Sequence, residues 1–132
     1  MFGIKNIYCF SLLAFALVSC SHNKRDVFVN VAKEYTKKCP VKVADNILCD
    51  SMKYDATRNV NTYYYVLSGS LDNAAVVAQN KSQMEEALIQ ELRNSVDLKP
   101  YKDFNTTMQY IYYSTSSHKE IFRVNIPSRL YK

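Results

Sequence analysis

The side chains of this 132-residue chain best suited to covalent chemistry are its four cysteines, Cys9, Cys20, Cys39 and Cys49. A thiolate can act as nucleophile, metal ligand or redox partner, so position and spacing decide between these uses. Cys39 and Cys49 do not have CxxC spacing, and neither His22 nor His118 stands near enough in sequence to suggest a zinc site. Ser117, His118 and Glu120 offer a nucleophile, a base and a carboxylate. Near neighbours on one polar loop, however, cannot hold the preorganised geometry that catalysis requires. Glu85, Glu86 and Glu91 fit the cap and outer face of a helix, whereas a glycosidase needs two carboxylates facing each other across a cleft. Asp45, Asp50, Asp55 and Asp72 fall in or near turns without calcium-loop spacing. No catalytic, metal or cofactor constellation emerges, and the expectation is a non-enzymatic protein without a cofactor.

Cys20 stands in a different setting. Met1 to Asn6 holds one lysine and no acid, and Ile7 to Val18 is apolar except for Ser11. That run is about a dozen residues, where a membrane-spanning helix needs roughly 20 to cross ~30 Å of hydrocarbon. It has the length of a signal-peptide core. Leu17-Val18-Ser19-Cys20 ends it and resembles the lipobox of bacterial lipoproteins: an aliphatic residue, a tolerated branched one, a small one, then the obligatory cysteine. The resemblance covers residues 1–20 only. It implies cleavage before Cys20 and acylation of that thiol, with residues 1–19 as leader, 20–25 as a lipidated tether and 26–132 as a single domain. Two or three acyl chains anchor stably, since each buried CH₂ contributes about 0.8 kcal/mol. The implied location is the bacterial cell envelope, lipid-anchored, on the outer membrane facing the periplasm. The basic stretch His22-Asn23-Lys24-Arg25 argues against the acidic sequence that some bacterial groups use for surface display.

Composition narrows the partners. There are 17 Lys and Arg against 12 Asp and Glu, and loss of the leader removes only Lys5. The basic excess is dispersed, without the concentrated patch that nucleic acid demands. Beyond the leader Gly69 is the only glycine, which excludes a glycine-rich phosphate loop. Eleven tyrosines and no tryptophan make tyrosine the dominant aromatic.

The elements that would position these residues follow from periodicity. Asp26 is a candidate helix cap, followed by Val27, Phe28, Val31, Ala32 and Tyr35 at helical spacing; Pro40 ends that helix. Val41–Ala44 and Ile47–Tyr54 read as strands around an Asp45-Asn46 turn, with Cys49 opposite Lys42. Val60–Ser68 is a strand rich in β-formers, and Leu71–Lys81 is ambiguous between helix and loop. Ser82 and Glu85 form a capping box for a helix with Met84, Leu88, Leu92 and Val96 on one face; Pro100 excludes further helix. Phe104–Ser114 and Ile121–Ile126 are strands joined by a polar loop. The fold class expected is α+β: an antiparallel sheet of four to five strands with two amphipathic helices on one face, in the order helix, strands, helix, strands.

Two features remain open on this reading. An even cysteine pair in an oxidising envelope invites a disulfide between Cys39 and Cys49, with two free half-buried thiols as the alternative. Tyr63, Tyr65, Tyr110 and Tyr112 are candidates for a partner-binding surface, with simple cross-strand stabilisation as the alternative. The function expected is a membrane-anchored envelope lipoprotein serving as a binding or structural module for a protein or glycan partner. The alternative is an inhibitor or immunity-type protein acting on an envelope enzyme. Cystatin-type inhibitors share the element content, but their Gln-x-Val-x-Gly loop is absent.

Overall fold

A computed structural model describes residues 24–132. The leader, Cys20 and His22 lie outside the described residues. Helix α1 covers residues 24–37 and includes Lys24 and Arg25, good helix formers, so Asp26 lies within the helix and does not cap it. Phe28, Ala32 and Tyr35 turn inward, while Val27 and Val31 are 56% and 44% exposed. The expected apolar stripe is therefore narrower than its sequence pattern.

Strands β1 (Val41–Ala44), β2 (Ile47–Asp55) and β3 (Val60–Leu67) form a meander. Asn46 and Asn59 stand at positive φ in its two turns, a conformation asparagine tolerates because its short side chain bonds locally. A 3₁₀ turn at Gly69–Leu71 follows. Gly69 has φ +56°, a backbone conformation that favours glycine, and a Cβ there would also push on the Asn46 side chain, whose Oδ1 it would meet at 2.8 Å. Helix α2 (Ala74–Asn94), helix α3 (Lys99–Asp103), β4 (Thr107–Ser114), β5 (Glu120–Ile126) and the short α4 (Ser128–Tyr131) complete the domain.

The strands lie in the order β1-β2-β3-β4-β5. All neighbours are antiparallel except β3 and β4, which are parallel. The sheet is therefore mixed, correcting the antiparallel expectation. The cause is α2: a long helix between two neighbouring strands returns the chain to its starting end, so the second strand runs with the first. Four helices contribute to the core instead of two, through Phe28, Leu92, Tyr101 and Tyr131 among others, and all meet the same face of the sheet.

Two helix boundaries differ from expectation. The cap of α2 is Asn73, whose Oδ1 accepts from Ala75 and Val76 N–H at 3.0 and 3.2 Å. Ser82 sits exposed in mid-helix, because the alanine- and valine-rich stretch before it continues the helix. Pro100 opens α3, where its missing N–H costs nothing. Val96, beyond the end of α2, is 83% exposed and leaves the buried face to Val77, Ile89 and Leu92. Lys102 Nζ crosses from α3 to cap the α2 carbonyls of Arg93 and Ser95, at 2.9 and 3.0 Å.

These caps give a direct stability test. Asn73→Ala should cost about 1 kcal/mol in urea unfolding, whereas Ser82→Ala should change stability by a few tenths at most. The reverse ranking would restore Ser82 as the cap.

Candidate functional site: a tyrosine-floored cleft

The parallel register pairs Tyr63 with Tyr110 and Tyr65 with Tyr112. Side chains alternate across a strand, so these four share one face, the face that the helices cover. Their rings stack nearly parallel: Tyr63–Tyr110 at 5.6 Å and 14°, Tyr65–Tyr110 at 6.1 Å and 9°, Tyr65–Tyr112 at 5.0 Å and 20°. Offset stacks of this kind are favourable beyond the area they bury. On one side α1 brings the Tyr35 ring edge-on to Tyr63 at 5.9 Å. On the other, α2 brings Leu88, Glu91 and Leu92. Between them lies a cleft of about 360 Å³ with the four tyrosines as its floor and Val43 and Ala44 of β1 at its margin.

Glu91 is the one charged side chain lining the cleft. Among the described residues it makes no ion pair; the five present all lie elsewhere, between residues close in sequence. Burial pushes the Tyr63 hydroxyl up to about 12, helped by the Tyr35 and Cys49 charges. Burial raises Tyr65, Tyr110 and Tyr112 further; Glu91 adds to the effect on Tyr110 and is the first neighbouring charge felt by Tyr112. The hydroxyls of Tyr65, Tyr110 and Tyr112 have no hydrogen-bond partner among the described residues. The cleft thus presents aromatic faces, free hydroxyls and one carboxylate, a set that can hold a ligand.

The structure brings Tyr63, Tyr65, Tyr110 and Tyr112 together, but under the helices and not on an outward face. Alternation groups them correctly; it does not say which face is covered, since both faces of β3 and β4 carry tyrosine. The outward pair is Tyr64 and Tyr113, stacked at 6.5 Å. Glu91, read from sequence as a solvated helix position, is exposed as expected; what the sequence did not show is that it also borders the cleft. The one hint was its place one turn from Leu88 and one residue before Leu92. His118 is exposed at positive φ in the β4–β5 loop, and the Glu120 carboxylate is held by Arg123 at 2.8 and 2.9 Å, away from any triad. Cys39 and Cys49 stand as free thiols, half-buried and buried. Cys49 faces Val41, not Lys42, because a bulge at Val43 shifts the ladder by one. Among the described residues no three potential metal ligands cluster, and no helix is long and apolar enough to cross a membrane.

A five-stranded mixed sheet with helices and a cleft on one face defines an α+β domain of recurrent architecture. Residues 23–122 match the model of a domain of unknown function, DUF8479, and the chain belongs to that family. No curated protein matches it in sequence. Among solved structures it is similar to a Pseudomonas aeruginosa protein described as secreted, with 12% identity and a TM-score of 0.72, over 85% of this chain and 96% of that one. It is also similar to EpsS, a pilotin of the Vibrio vulnificus type 2 secretion system, with 7% identity and a TM-score of 0.66, over 85% and 94% of the two chains. AspS, a type II secretion system pilotin of Vibrio cholerae, gives 10% identity and a TM-score of 0.64, over 87% and 98%. At such identities the likeness concerns the fold.

The raised tyrosine pKa values fix the sign of the alkaline response. The folded state keeps protons that the unfolded chain loses above its ordinary tyrosine pKa of 10.0, so this stabilisation is complete below pH 10 and declines above it. Tyrosinate absorbance from the cleft should therefore appear in one cooperative step with unfolding. Smooth ionisation of all tyrosines near pH 10, with the fold retained, would contradict the buried floor.

Proposed function

We propose that this chain is a pilotin-like adaptor of the bacterial envelope: a non-catalytic lipoprotein, acylated on Cys20, whose cleft seats a peptide segment of a protein partner. The occupant carries apolar side chains for the tyrosine floor and one Arg or Lys directed at Glu91. The observation that carries this reading is the unpaired Glu91 carboxylate on an otherwise neutral, aromatic cleft in a chain of net charge +5. A cation over tyrosine faces gains from the ring quadrupole, by up to about 2 kcal/mol where water is excluded, and the carboxylate adds direction. The recurrence of this fold in two secretion-system pilotins supports a role beside an envelope assembly. The lipobox and the basic residues that follow Cys20 support attachment to the outer membrane on its periplasmic side.

Two experiments test the two halves. For the cleft, a displayed library of random peptides is selected against the protein. The expected winners combine apolar residues with a basic one, and Glu91→Lys should weaken them at least about 10-fold, a difference of roughly 1.4 kcal/mol. Winners without a basic residue, or peptides indifferent to Glu91→Lys, would overturn the reading; glycan binding to the tyrosines in their place would also do so. For the anchor, Cys20→Ala should abolish fatty-acid labelling and release the protein from membranes. Persistence as an acylated membrane species would remove Cys20 from its role.

A further inference from the structure

Both remaining cysteines lie where α1, β1 and β2 converge. Thr36, near the end of α1, donates from Oγ1 to the Met52 carbonyl at 2.8 Å and accepts from the Met52 N–H at 2.9 Å. Val41 of β1 faces Cys49 of β2 across the antiparallel ladder. Cys39 falls between these two ties, and Cys49 is itself the β2 residue of the second. The Cys39 N–H bonds back to the Thr36 carbonyl at 3.1 Å, which holds the residue against that corner. The thiols have only weak acceptors of their own: Cys39 Sγ lies 3.5 Å from the Tyr35 carbonyl and Cys49 Sγ 3.8 Å from the Ser51 carbonyl.

We infer that Cys39 and Cys49 are a built pair that closes to an intramolecular disulfide, pinning the end of α1 and the start of β1 to β2. Cys39 stands two residues before Val41, the residue that faces Cys49, so chain connectivity and strand register bring the two cysteines to the same corner. Burial pushes the Cys49 thiol up to about 11, so it is not the first to react. Cys39, half-buried, is the accessible one. Its thiolate attacks a disulfide donor, forming a mixed disulfide and releasing one donor thiol. The Cys49 thiolate then attacks the Cys39 sulfur and displaces the second donor thiol. Two protein thiols are oxidised, one donor disulfide is reduced to two thiols, and both protein protons end on the donor. Tyr35 and Val43, which flank the tyrosine cleft, sit on the elements so pinned.

Closure in the cell rests on the envelope location proposed above, because a disulfide persists in an oxidising compartment; the pairing itself does not. The test has two arms. Lys42 lies between the cysteines, so trypsin splits them into residues 39–42 and 43–53 unless a disulfide joins the two. In the first arm the full-length protein is alkylated in cells, extracted and digested without reduction. The expected product is the joined peptide pair, and a reductant should lower the melting temperature by roughly 10 °C. In the second, purified reduced protein is titrated with oxidised glutathione, and the joined pair should form without a lasting glutathione adduct. Closure with glutathione alone supports the pair and overturns the oxidising location. Separate alkylated or glutathione-capped peptides in the second arm overturn the inference.

Discussion

The parallel pairing of β3 with β4 is the constraint on which the rest of the domain depends. It is fixed at its origin by Asn59. The Asn59 side chain accepts from the Tyr54 hydroxyl and the Thr106 hydroxyl, each at 2.8 Å, and donates to the Phe104 carbonyl at 2.9 Å. Its own carbonyl accepts from the Thr107 N–H at 3.1 Å. The β2–β3 turn is thereby tied to the loop that launches β4, and Val60 falls opposite Thr107. At the far end Thr115 donates twice to the Leu67 carbonyl, from N–H and hydroxyl. With both ends pinned, Tyr63 must meet Tyr110 and Tyr65 must meet Tyr112. A slip by one residue would send one set of tyrosines to the opposite face.

The two faces of the sheet then resolve their polar groups in different ways. On the uncovered face Thr62 Oγ1 donates to Gln109 at 2.9 Å and Gln109 Nε2 donates to Asn125 at 2.6 Å, a continuous ladder over three strands. Ile111, registered between Tyr64 and Arg123 on that face, is 2% exposed. On the covered face the tyrosine rings are buried and stacked, yet the hydroxyls of Tyr65, Tyr110 and Tyr112 are left without protein partners. Buried polar atoms are normally bonded. These three hydroxyls are not among the buried polar atoms that lack partners, so they open to the cleft together with the exposed Glu91 carboxylate.

Most elements were legible because their signals are local. Alternation located β2, β3 and β5 to within a residue or two, and Asp45-Asn46 and Asp55–Asn59 marked turns that the structure closes with Asn46 and Asn59 at positive φ. The grouping of Tyr63 with Tyr65, and of Tyr110 with Tyr112, followed from the same period. What failed was non-local or competitive. Ser82-x-x-Glu85 has the form of a capping box, but Asn73 with a run of helix formers behind it starts the helix earlier. The parallel β3–β4 pair depends on how a long helix returns the chain, and Val27, Val31 and Val96 are apolar at positions that nothing covers. Glu91 is exposed as its helix position implies, but that it borders the cleft depends on where Tyr35 and the tyrosine floor are brought from elsewhere in the chain.

The strand ladders beneath the cleft are not uniform. Each of the three antiparallel ladders carries one extra residue: Val43 between β1 and β2, Asp50 between β2 and β3, Ile121 between β4 and β5. All three fall in the half of the sheet that holds Tyr65 and Tyr112. A bulge bends its strand and increases the local right-handed twist, and in the half that begins at Val60 and Thr107 pairing is unbroken. Phe28 of α1 and Val77 of α2 belong to the core, while Tyr35 and Glu91 line the cleft over the tyrosines. The cleft lies over the half of the sheet in which the ladders are interrupted. Its floor is rigid on both strands because β3 and β4, the one pair without a bulge, run through its centre.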